Sequence, residues 1–128
     1  MANFEPKISG MNLLVGDLHA AKRFYQEIFG ITPLHEEGEL AVFRVGTINV
    51  ALRYDPAHQG PAADVLALAQ RGVGQFAVAV DDVDEAATDL EKHGLSLISR
   101  PADLAWGIRT VTFADPAGYV WEFAQDLG

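Results

Sequence analysis

The sequence predicts an α+β fold made of two tandem β-α-β-β-β modules, with a concave mixed sheet and its helices on the outside. Three observations carry that prediction. Residues 76–82 repeat the pattern of residues 11–17 at a constant spacing of 65, and the helix pattern that follows ends in a glycine both times, Gly30 and Gly94. Self-similarity at a fixed period marks a repeated structural unit. Short runs with period-two alternation accompany each helix pattern, and their parity sorts large apolar side chains from small or polar ones.

Taken in order, residues 8–15 have the alternation of a strand. Asp17 follows as an N-cap, and Leu18, Ala21, Tyr25, Ile28 and Phe29 then recur at helical spacing. Gly30 suits the position just past the helix end, and Pro33 prevents continuation. Residues 34–37, 40–45 and 47–54 form three short strands, turning at Glu37-Gly38 and Gly46-Thr47. A polar connection with proline and glycine covers about 55–74, within which residues 65–71 have the pattern of a helical turn. The second module starts at about 75. Residues 76–80 are a strand, and Asp82-x-x-Glu85 is a capping-box-like helix start. Val83, Ala86, Ala87 and Leu90 give the apolar stripe. Strands are expected at 95–100, 108–114 and 119–125. The two modules, about 8–54 and 75–125, make a single domain of the 128-residue chain.

Composition narrows the function. The formal charge is −9 with a pI near 4.6, which argues against nucleic-acid binding, since that requires Lys and Arg to displace counterions. An acidic surface either attracts a cationic ligand or simply keeps the protein soluble. Apolar runs stay far below the roughly 18 residues that span a bilayer, and the first residues lack the basic and apolar regions of a signal peptide. With no cysteine there is neither a disulfide framework nor a thiolate ligand. A cytoplasmic protein without membrane or nucleic-acid partners is expected.

Parity gives the site. Met11, Leu13 and Val15, Phe76, Val78 and Val80, Ile48, Val50 and Leu52, and Trp121 with Phe123 are the large apolar positions that belong under the helices. The opposite parity gives Gly10, Asn12 and Leu14, then Gln75, Ala77 and Ala79, then Asn49, Ala51 and Arg53, and finally Val120, Glu122 and Ala124. A concave face lined by small residues and a few oriented polar groups is how small-molecule pockets are built.

The closing stretch carries a resemblance. Phe113-x-Asp115-Pro116-x-Gly118-x-x-Trp121-Glu122-Phe123, preceded by Trp106-Gly107-x-Arg109, resembles the final hairpin of the glyoxalase/bleomycin-resistance/dioxygenase superfamily, the vicinal oxygen chelate fold. Paired βαβββ modules are what that resemblance implies, and it extends over nearly the whole chain. In metal-using members the ligands come from places that correspond to Gly10, Ala51, Gln75 and Glu122. Here Glu122 keeps the carboxylate, Gln75 offers an amide, and Gly10 and Ala51 have no donor. A catalytic divalent ion wants about three protein ligands and an open position. His19, His35, His58 and His93 are not spaced to replace them. The expectation is therefore no metal, with Gln75 and Glu122 as the fallback ligands if one binds.

The expected function is metal-independent binding or sequestration of a small molecule, an antibiotic or metabolite, of the bleomycin-resistance type. Trp106, Glu122, Gln75, Asn49, Arg53, Asn12, Arg109 and Phe43 are the candidate ligand-binding residues. Trp106 would stack on a flat ligand or else plug the core, and Phe43 or Tyr54 would form a second wall. Glu122 would meet a ligand cation or pair with Arg53 or Arg109. The resemblance also implies a homodimer. The alternatives are a lactoylglutathione-lyase-like, epimerase-like or dioxygenase-like metalloenzyme with a divalent ion, a metal-free catalyst using Glu122, and a pocketless dimeric partner domain.

Overall fold

A computed structural model describes residues 6–58 and 76–128. The chain divides into two compact units, 1–59 and 60–128. Gln75 and the expected helical turn at 65–71 lie outside the described residues.

Unit 1 runs β1 (Gly10–Val15), α1 (Leu18–Ile28), β2 (His35–Glu37), β3 (Leu40–Val45) and β4 (Ile48–Tyr54), and its sheet has the order β1-β4-β3-β2. β1 and β4 are parallel, while the other pairs are antiparallel. Asp17 caps α1 by accepting from the Ala20 amide at 3.0 Å, which satisfies one of the helix's unpaired N–H groups. Gly30 ends that helix region at φ 65°, a conformation that only glycine adopts freely. Lys22 reaches Glu36 at 2.7 Å and ties α1 to the edge strand β2. Beneath the helix, Leu13, Val15, Val50, Leu52, Ala41 and Phe43 are buried with Ala21, Phe24 and Tyr25.

Unit 2 repeats the plan with β5 (Phe76–Ala79), α2 (Val83–Lys92), β6 (Ser99–Leu104), β7 (Ile108–Ala114) and β8 (Val120–Asp126), in the order β5-β8-β7-β6. Here Asp82 caps α2 through the Glu85 amide at 3.1 Å. Trp121 is fully buried and packs on Phe76 with ring centroids 5.1 Å apart, and Phe113 meets Phe123 at 4.8 Å. The two tandem βαβββ modules are present as the repeat predicts.

One strand is displaced from its expected position. β6 covers Ser99–Leu104 rather than 95–100. Past α2 the chain is still closing the helix: Gly94 takes φ 84° and the Leu95 amide returns to the Leu90 carbonyl at 3.1 Å, the arrangement of a glycine-terminated helix. Pairing with β7 starts only when the Ile98 amide reaches the Thr112 carbonyl at 2.8 Å. The register then slips between Ser99 and Ala102. Pro101 falls inside that slip, where its missing N–H costs no ladder bond.

The closing turn follows its sequence. The Gly118 amide bonds the Asp115 carbonyl at 3.0 Å, and Asp115 Oδ1 accepts from the Ala117 and Tyr119 amides at 3.0 and 2.8 Å. A buried carboxylate is thus satisfied by the backbone it folds.

Candidate functional site

Each sheet has one face under its helix and one turned away from it. Register assigns residues to these faces, because directly paired strand residues project to the same side. On unit 1 the uncovered face consists of three cross-strand rows. Leu14, Arg53, Leu40 and Glu37 form one row, Asn12, Ala51, Val42 and His35 the next, and Gly10, Asn49 and Arg44 the last. Asn12, Asn49 and Arg53 are exposed, so the three candidates from this unit share one accessible face. At its edge His35 Nε2 lies 2.9 Å from Glu37 Oε2.

On unit 2 the corresponding face has the row Ala77, Glu122, Thr112 and Ser99 and the row Ala79, Ala124, Thr110 and Ala102. Glu122 is half-buried, and its strand neighbours are an alanine and a threonine. Thr110 and Thr112, both buried, are face residues that the sequence reading missed. Their signal was the parity of β7, where Val111 and Phe113 claim the helix side.

The same parity corrects Arg109. It shares the helix-side face with Val111 and Phe113, so it does not meet Glu122. Its Nε and Nη2 donate to Asp84 on α2 at 3.1 and 2.9 Å, and Nη1 donates to Asp103 on β6 at 2.8 Å. The bonds to Asp84 first, then those to Asp103, raise the guanidinium pKa above its ordinary value. Arg109 thus joins helix and hairpin.

Phe43 also moves. It is completely buried on the helix side of unit 1, 5.8 Å from Tyr25 between ring centroids, and is core rather than a stacking wall. Tyr54, its alternative, is partly exposed at the end of β4.

Trp106 is 72% exposed, which removes the reading of it as a plug. It sits in a three-residue loop between Leu104 and Ile108, with Gly107 at φ 79° in the left-handed position that such loops require. The strand from Ile108 to Thr112 covers about 13 Å at ~3.3 Å per residue. Trp106, which precedes Ile108, and the Glu122 row, which crosses β7 at Thr112, are therefore separated by at least that length along the strand.

Of the four metal positions implied by the resemblance, three lie among the described residues: Gly10, Ala51 and Glu122. Gly10 and Ala51 present no donor on the unit 1 face, and the rows of unit 2 carry two carboxylates, Glu122 and, at the far end in the row Leu104, Ile108 and Asp126, Asp126. Among the described residues no three His, Asp or Glu side chains converge to hold a metal ion. Nor is any helix of the described residues long and apolar enough to cross a membrane.

Two βαβββ units, each with a parallel pair at the module's ends and one sheet face turned away from its helix, define the paired-module architecture. The model of the Glyoxalase/Bleomycin resistance protein/Dioxygenase superfamily matches residues 7–123, and the chain belongs to that superfamily. Among solved structures it is similar to a glyoxalase/bleomycin resistance protein/dioxygenase from Nocardioides, with 25% identity, TM-score 0.74, and coverage of 98% of this chain and 87% of that one. It is also similar in fold to a lactoylglutathione lyase from Agrobacterium tumefaciens, at 24% identity and TM-score 0.71, covering 94% of each chain. A glyoxalase-related enzyme from Fulvimarina pelagi matches at 23% identity and TM-score 0.72, covering 94% of this chain and 88% of that one. No curated protein matches.

Proposed function

We propose that the protein binds and sequesters a small molecule without a metal, on the helix-free faces of its sheets, in the manner of the bleomycin-resistance branch of its superfamily. The observation that carries this reading is the make-up of those faces. The alanines of unit 2 leave room, polar groups on both faces give orientation, and two of the family's metal positions are the donor-less Gly10 and Ala51. Trp106 supplies an exposed aromatic plane and Glu122 a carboxylate for a cation. Each sheet ends in edge strands, β1 and β2 in one and β5 and β6 in the other. Such edges suit pairing with a second copy, and we include a homodimer in the proposal, to be checked by light scattering.

A thermal-shift screen of the metal-stripped protein tests the reading. Ligand at about 100-fold excess over Kd stabilises by roughly 2.7 kcal/mol. Flat aromatic or cationic drugs should raise Tm, while divalent ions and glutathione or acyl-CoA conjugates should not. A clear shift with nickel, zinc, manganese or iron would overturn it.

A second reading rests on Glu122. A half-buried carboxylate beside Thr112 on a face of alanines is placed to take a proton from a bound substrate. Turnover that Glu122→Gln abolishes, with ligand affinity retained, would favour this metal-free catalyst.

A further inference from the structure

The uncovered face of unit 1 ends in a cleft of about 510 Å³, lined by Leu14, Glu37, Glu39, Leu40, Arg53, Gly38, Tyr54 and Asp55, all from that unit. Its apolar part is accessible: Leu14 is 41% exposed. Its charges are arranged unusually. Arg53 is flanked across the strands by Leu14 on one side and Leu40 on the other. Among the described residues its guanidinium has no hydrogen bond or ion pair, although three carboxylates line the same cleft.

The two leucines explain the separation. They occupy the positions directly beside Arg53, so the carboxylates stand farther out. Glu37 lies beyond Leu40 and is paired with His35, Glu39 is at the turn before β3, and Asp55 follows the end of β4. The Tyr54 amide donates to the Glu39 carbonyl at 2.9 Å, and Asp55 Oδ1 is fixed by the Ala57 amide at 2.9 Å, which holds this acidic rim in place. An isolated guanidinium is a bidentate partner for a carboxylate. The net negative rim disfavours a plain anion and attracts an ammonium group.

We propose that this cleft binds a small zwitterion with an apolar body, an α-amino acid of the leucine or phenylalanine kind. Its carboxylate bonds Arg53, its ammonium group faces Glu39 and Asp55, and its side chain covers Leu14 and Leu40. The proposal rests on the small-molecule-binding reading and gives unit 1 a ligand class.

The test is an amide nuclear magnetic resonance titration of the full chain with L-leucine and L-phenylalanine, their methyl esters and their N-acetyl forms. Free amino acid should move the amides of Leu14, Leu40, Arg53 and Tyr54. The ester, which lacks the carboxylate charge, and the N-acetyl form, which lacks the ammonium, should each bind about tenfold more weakly or worse. Arg53→Gln should weaken the amino acid to a similar degree and leave the ester unchanged, with the variant's spectrum verifying its fold. Asp55→Asn, which keeps an oxygen for the Ala57 amide, should weaken the amino acid and spare the N-acetyl form.

Absence of localised shifts overturns the proposal. So does an ester that binds as well as the amino acid (a plain cation site), an N-acetyl form that does (an anion site), or an Arg53→Gln variant that binds normally. If aromatic cations still raise Tm when the amino acids fail, only the zwitterion assignment falls. If neither class binds, the binding reading falls with it.

Discussion

At the scale of single residues, exposure decides what a side chain is free to do. Trp106 projects from its loop with most of its surface in water. Replacing it with alanine should leave Tm nearly unchanged and cost an aromatic ligand about 1–3 kcal/mol, measured by calorimetric titration. Loss of folding in that variant would contradict the exposure. Asp115 is the reverse case, a buried carboxylate whose oxygen serves two turn amides. Asp115→Ala strands those amides and should destabilise by about 1–3 kcal/mol in urea unfolding. The part Asp115 plays was legible in the sequence, because turn chemistry is local and Asp-Pro-x-Gly states it directly. Phe43 was not legible. In Leu-Ala-Val-Phe-Arg-Val both parities of β3 are apolar, so neither face declares itself, and only the ring of Tyr25 above it fixes the side.

At the scale of elements, the caps and helix ends were readable for the same local reason. Asp17, Asp82, Gly30 and Gly94 act where their residue types predict. The repeat itself held the correction for β6. β2 starts five residues after Gly30, and β6 starts five residues after Gly94. The first module was thus a better guide to the second than the local apolar run at 95–98. Arg109 shows the limit of local reading. Its parity with Val111 and Phe113 was visible, but its partners lie on α2 and β6, and no spacing rule announces an Asp84–Arg109–Asp103 cluster. Arg109→Gln should lower Tm, and the difference from the unaltered protein should shrink in high salt, which screens exposed charge. The raised pKa places the loss of this interaction above arginine's ordinary range. The arginine side of the cluster is therefore fully charged across neutral pH, and deprotonation of Arg109 contributes no pH dependence there.

At the scale of the whole molecule, the two modules share a plan but differ in the chemistry of their uncovered faces. Unit 1 presents asparagines and arginines among aliphatic residues, whereas unit 2 presents alanines, threonines and two carboxylates, Glu122 and Asp126. The repeat was evident from sequence because helix and strand periods survive divergence; the face chemistry was half-evident, since β7 and its threonines emerged only with the register. The chain as a whole carries a formal charge of −9. Association of a cationic aromatic ligand should therefore slow as ionic strength rises, in stopped-flow fluorescence, while dissociation changes less.

Gly10 sets a boundary for anyone who would redesign this protein. A Cβ built there would come 3.1 Å from the carbonyl oxygen of Asn49 in the adjacent strand. That neighbour is backbone, held in the β1–β4 ladder through the Asn49 amide to the Ser9 carbonyl, and it cannot swing aside as a side chain would. Installing a histidine at this position would require β4 to shift, whereas Ala51 already has a Cβ from which a longer side chain can grow. A programme to place a new ligand on this face of unit 1 should start at Ala51, and should treat the spacing of β1 and β4 as a design variable alongside the choice of ligand.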